Sequence, residues 1–145
     1  MKKIVYLLLL LPILFLFSCS DDNPVNPENS DLNGTWSTEL IQGYDTVRCT
    51  VVITESKGKI SGTGDLYIFH KIVSGSSSTS ESSTNKGNIT GTYEGGVVKI
   101  NFSSTDFDKF EGVLSEDKTS ISGKVSTILL LSQNKVEYNI TLLKN

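Results

Sequence analysis

The sequence predicts an all-β domain, an eight-stranded antiparallel up-and-down barrel over residues 32–145 that follows a signal peptide and a flexible tether. Three observations lead there. From Leu32 onward the chain is rich in Val, Ile, Thr, Tyr and Phe and has no Pro, a composition suited to the pleated, half-buried surface of a strand. Apolar and polar residues alternate with period two between turn signals at Gln42-Gly43, Ser56-Lys57-Gly58, Glu94-Gly95-Gly96 and Glu116-Asp117-Lys118. A weak repeat, apolar-x-Gly, recurs at Ile60-Ser-Gly62, Ile89-Thr-Gly91, Phe110-Glu-Gly112 and Ile121-Ser-Gly123, with each Gly on the apolar face. Inward glycine lets coiled strands bend and lets opposite walls approach, which a small closed barrel needs more than a flat sandwich does.

The first element is the N-terminal address, residues 1–18. Lys2 and Lys3 precede an apolar run from Ile4 to Phe17. At about 14 residues the run falls short of the ~20 that span a bilayer and has the build of a secretory signal peptide. Its end, Leu16-Phe17-Ser18-Cys19, resembles the lipobox of bacterial lipoproteins. That resemblance implies cleavage before Cys19, a diacylglycerol on its sulfur and an acyl chain, such as palmitate, on its new amino group. Ser20 after the Cys resembles an outer-membrane sorting signal. Asp21 and Asp22 look like a surface-export signal or simply solvate the tether. Two or three acyl chains hold a protein on a membrane far more firmly than one.

Residues 19–31 form the lipidated Cys and tether, with two Pro and a run of Asn and Asp that cannot bury a core. Stretched at about 3.3 Å per residue, such a tether reaches roughly 40 Å.

The strands follow in order. Their inward faces are predicted as Trp36, Thr38 and Leu40; Val47, Cys49, Val51 and Ile53; Ile60, Gly62, Gly64, Leu66 and Ile68; and Ile89, Gly91 and Tyr93. Val98, Ile100 and Phe102 come next, then Phe110, Gly112 and Leu114, then Ile121, Gly123 and Val125, and finally Val136, Tyr138, Ile140 and Leu142. Between the third and fourth strands, Ser74 to Asn85 is a low-complexity polar run, predicted as a mobile insertion. Two stretches are apolar on both faces, Leu66 to Phe69 with Ile72-Val73, and Ile128 to Leu131. Outward Tyr67, Phe69, Leu129 and Leu131 would make an exposed partner surface, unless the Ser-rich loop or a kink covers them.

Gly34-Thr35-Trp36 at the first strand resembles the Gly-x-Trp start of the calycin group, the lipocalins and avidins, and Gly87-Asn-Ile-Thr-Gly-Thr-Tyr93 is similar to an avidin strand. The resemblance implies a calycin-like barrel. Avidin-type biotin sites cage the ligand with several Trp side chains, and this chain has one, so biotin is not expected.

Charge and composition exclude several classes. With 13 basic and 16 acidic residues and a net charge of −3, the chain lacks the basic excess that nucleic acid requires. One His and two Cys are too few for a zinc or disulfide framework. Cys49 reads as a buried structural thiol and His70 as an exposed rim residue; Asp106, Asp108, Glu116 and Asp117 lack calcium-loop spacing. No catalytic residues, metal or cofactor are predicted, and the protein is not expected to be an enzyme. Trp36, Tyr93, Phe102, Phe110 and Tyr138 face the interior, where they could line a pocket or fill one. The expectation is a lipid-anchored envelope protein, on the outer membrane and facing periplasm or surface, that binds a small apolar ligand or lipid. The alternative is a solid barrel that binds or inhibits an envelope protein.

Overall fold

The computed structural model describes residues 30–103, 107–129 and 132–145. Cys19 and the segments expected to form the signal peptide and most of the tether lie outside the described residues. The strands are β1 (Gly34–Gln42), β2 (Asp45–Ser56), β3 (Lys59–Ser74), β4 (Ser77–Glu94), β5 (Val97–Phe102), β6 (Lys109–Leu114), β7 (Ser120–Ile128) and β8 (Lys135–Lys144). Each pairs antiparallel with the next, and β8 returns to β1 through Trp36↔Lys144 and Ser37↔Leu143, closing the barrel. The closing seam is short. It is extended by the Asn145 N–H donating to the Thr35 carbonyl at 2.9 Å and by the Lys144 ammonium donating to the Asp31 carbonyl at 2.7 Å.

Local sequence explains the turns. Gly95 and Gly96 both have positive φ, 57° and 85°, the mirror-image turn whose twist matches that of the flanking strands. Curvature comes from the apolar-x-Gly repeat. A Cβ on Gly91 would fall on the Lys99 carbonyl oxygen, and one on Gly123 on the Glu111 carbonyl oxygen. At those points neighbouring backbones approach too closely for any side chain.

The up-and-down order gives the barrel two unlike ends. Both termini and the β2–β3, β4–β5 and β6–β7 turns lie at one end, here called the lower end. There Leu32 folds back under the barrel, and the Trp36 indole N–H donates to its carbonyl at 2.9 Å. Leu32 and Trp36 are fully buried; excluding such side chains from water stabilises the fold by about 1.5–3 kcal/mol each. Above them Val51, Ile53, Ile89, Ile100, Phe102 and Phe110 form a continuous core.

At the upper end the strands are unequal. β3 and β4 pair all the way to Ser74↔Ser77, whereas β2 stops pairing with β3 at Thr46↔Phe69 and β5 stops pairing with β4 at Ile89↔Phe102. The β3–β4 hairpin therefore overtops the wall. This corrects the expectation of a mobile Ser74–Asn85 loop: β4 begins at Ser77, and only a tight turn precedes it. Ser and Thr tolerate strands when a partner supplies the ladder, and the apolar strand from Leu66 to Val73 supplies it. The period-two signal was present in Glu81, Ser83 and Asn85, which face inward, but composition masked it.

Gly91→Ala is expected to lower stability by about 3 kcal/mol, the upper range for forced overpacking. Gly87→Ala, whose Cβ meets only Ser103 Oγ at 3.4 Å, is expected to cost less than about 1 kcal/mol, within the range of changes away from packed or strained features. Urea unfolding of both variants measures the difference.

Candidate functional site

The aromatic residues predicted to face inward divide between two environments. Trp36, Phe102 and Phe110 are buried in the lower and middle core, and Tyr93 packs against it half-buried. There is little space around them: a Cβ on Gly64 would stand 2.6 Å from Ile89 Cγ2 and 2.7 Å from Phe102 Cε1. Cys49, inward and buried as expected, has its thiol pKa pushed up to about 12 by burial and secondarily by the Asp65 charge. It is a packing residue, since thiolate chemistry needs an exposed, electropositive setting. Clefts of about 570, 510 and 330 Å³ lined by described residues lie on the outer wall, the first two over the Gly112–Gly123 and Gly64–Gly87 pairs.

Tyr138 belongs to the upper end. Its ring is buried and its hydroxyl reaches a polar cluster at the mouth. Asp45, at the start of β2, accepts there from the Tyr138 hydroxyl at 3.1 Å, from the Lys71 N–H at 3.1 Å and from His70 Nδ1 at 2.9 Å. A carboxylate only accepts, so this contact assigns the Nδ1 proton to His70. His70 had been expected exposed on the rim. It instead continues the inward face of β3 and is half-buried. Burial works to raise the Asp45 pKa, but the Lys71, His70 and Tyr138 hydrogen bonds outweigh it and hold the carboxyl below its ordinary value. Burial, then the Asp45 charge, drives the Tyr138 phenol the other way, upward.

A second polar set bridges the wall where β5 is too short to reach. Asn85 donates from Nδ2 to Asp108 Oδ2 at 2.7 Å, and the Thr127 hydroxyl donates to Asp108 Oδ1. Higher on β4, Glu81 accepts from the Ser132 N–H at 3.3 Å and its hydroxyl at 3.2 Å. Glu81, Asn85, Asp108 and Thr127 are all buried. Side-chain bonds thus replace a backbone ladder between β4 and the loops facing it. Asn85 Oδ1 has no hydrogen-bond partner among the described residues.

The predicted partner surface breaks up. Tyr67 and Phe69 are half-buried on the outer face of β3, with the Arg48 guanidinium 5.8 Å from the Tyr67 ring centroid. Leu129, expected to point outward, is 1 % exposed, because β7 carries its inward register on through Thr127 to Leu129. Leu131 lies outside the described residues, as does Asp106. Asp117 serves its own turn, accepting from Ser115 and Thr119, and those bonds lower its pKa. No group of three or more His, Cys, Asp or Glu among the described residues could hold a metal ion.

Sequence reading singled out Ile72-Val73 but missed the rest of the apolar rim of the mouth. Ile41 and Tyr44 flank the β1–β2 turn, Ile72 and Val73 end β3, and Phe107 stands between β5 and β6. All are exposed, Tyr44 at 66 % and Phe107 at 57 %. Lys71 Nζ lies 5.0 Å from the Tyr44 ring centroid, which links the first two groups. For Tyr44 and Phe107 the signal was an aromatic residue inside a turn, where polar residues are usual.

Comparison of the chain with protein-family models, curated proteins and solved structures finds no match.

Asp45 carries its proton more weakly folded than unfolded, so its contribution is present above the unfolded pKa, near 3.8, and is lost as pH falls through the lower folded value. The wild-type chain is therefore expected to lose stability on acidification below about pH 4, and Asp45→Asn to lose less over the same range. Urea midpoints measured between neutral pH and pH 2 test the sign.

Proposed function

We propose that this chain is a lipid-anchored envelope protein whose filled barrel holds an apolar mouth away from the membrane to dock a protein partner. The observation that carries this reading is the position of the exposed large apolar residues. Five of them, Ile41, Tyr44, Ile72, Val73 and Phe107, stand at the upper end, whereas the chain enters the barrel from the lower end at Ser30. Apolar side chains gathered at one end of a stable domain mark interaction sites. A lipid on Cys19 and the tether beyond it would leave that end facing outward.

The packed interior around Trp36, Phe102 and Phe110 supports a docking protein over a carrier of a small apolar ligand, since a ligand chamber needs about 300 Å³ or more. The polar side chains of the upper interior, Asp45, His70, Glu81, Asn85 and Asp108, likewise favour an external partner over a lipid tail, which offers them no hydrogen bond. The calycin resemblance adds only architecture, because one barrel serves many functions. The outer membrane, on its periplasmic or outer surface, is the proposed location.

Two measurements test the reading. Cys19→Ser is expected to move the protein from the membrane pellet to the soluble envelope fraction; unchanged sedimentation would rule out the anchor. A photo-crosslinking residue at Phe107 is expected to capture a discrete envelope protein, while the same residue at Val52 on the outer wall captures none. Tyr44→Asp on the Phe107 probe chain is expected to abolish that capture with unfolding unchanged. Equal capture from Phe107 and Val52 would refute docking at the mouth.

A further inference from the structure

We propose that the docked partner inserts a Lys or Arg side chain beside Phe107 onto Asp108 and Asn85 Oδ1, with its flanking apolar residues seated on the rim. The inference rests on the docking reading above and adds the chemistry of the partner.

Among the described residues of this throat, Asn85 Oδ1 lacks a hydrogen-bond donor and Asp108 lacks a cation. Asp108, next in sequence to exposed Phe107, is buried, and among the described residues its carboxylate receives two neutral donors, Asn85 Nδ2 and the Thr127 hydroxyl. No Lys or Arg among the described residues forms an ion pair with Asp108 or Glu81, although six other ion pairs are made elsewhere. Buried charges are ordinarily paired. Asn85 Oδ1, in a residue 2 % exposed, is an acceptor to which nothing among the described residues donates, which native proteins rarely leave so. Rotating the amide would only turn its donors away from Asp108 and place two acceptors together.

The remaining charges agree. Glu81 lies higher on the same inward face of β4, and Asp45 lies across the mouth bound to His70. Of the cations at this end, Lys71 lies over the Tyr44 ring and Lys135 pairs with Glu137. A metal ion fits poorly, because hard cations gather six or more oxygens and the described residues form no metal-holding group. An ammonium or guanidinium suits a few fixed acceptors, and its aliphatic stem can lie against Phe107 while the head enters.

The test uses the full-length chain in lipid nanodiscs and two fluorescein-labelled hexapeptides, one with a central Lys among Leu and Phe, the other with Gln replacing the Lys. Fluorescence anisotropy, with empty nanodiscs as control, is expected to show the Lys peptide binding about tenfold more tightly, a typical gain for a close charge pair. Asp108→Asn is expected to erase that preference while the Gln peptide binds as before; Phe107→Asp is expected to weaken both peptides. Asn85→Leu, which keeps the size and removes the acceptor, should also reduce the preference and serves if Asp108→Asn unfolds. Equal affinity for the two peptides, or a Lys preference that survives both Asp108→Asn and Asn85→Leu, overturns the inserted cation yet leaves docking on the rim intact. Failure of both peptides to bind overturns the inserted cation, and docking itself is then judged by the Phe107 crosslink.

Discussion

Closure of the sheet on itself is the constraint from which the rest of the structure follows. An eight-stranded barrel has room for its own side chains or for one small ligand, and here the tight turns of the wall settle how that room is shared. Gly91 and Gly123 sit where adjacent backbones nearly touch. With the walls drawn in, Trp36, Phe102 and Phe110 fill the lower and middle barrel. Closure itself rests on a short β1–β8 seam of two paired positions, so packing of Leu32 and Trp36 beneath that seam matters more than the ladder that crosses it.

Unequal strand lengths set the character of the other end. Because β5 ends at Phe102 while β4 begins twelve residues above its partner position at Ile89, the described residues form no continuous backbone ladder along the upper part of β4 on that side. Asn85, Glu81, Asp108, Thr127 and Ser132 close it with side chains instead. Buried polar groups are tolerated only when they are hydrogen-bonded, and Asn85 Oδ1 marks the place where this network stops short. The same end carries Tyr44, Ile72 and Phe107 in contact with water. An apolar rim over an acidic, incompletely satisfied throat is a poor solution for stability alone, which is why function is sought there.

Much of the fold was legible because a barrel wall obeys a strict period of two. The eight inward faces, the apolar-x-Gly corners and the burial of Cys49 could all be read from alternation. The mouth was not, for three physical reasons. Polar inward positions such as Glu81 and Asn85 give no hydrophobic signal, so a true strand passed for a loop. Asp45, His70 and Tyr138 meet only through closure, being far apart in sequence. Leu129 was assigned outward because its stretch is apolar on both faces, and only the register of β7 decides which face turns in.

The central claim is that the barrel is a filled scaffold and that its business is conducted at the mouth. Native mass spectrometry of the full-length protein purified from an envelope fraction, with organic extraction of the same sample, tests it most directly. The account predicts the mass of the lipidated chain alone, with no stoichiometric small molecule in the extract. A single apolar compound retained at one equivalent per chain would contradict it and return the interior to the role of a ligand chamber.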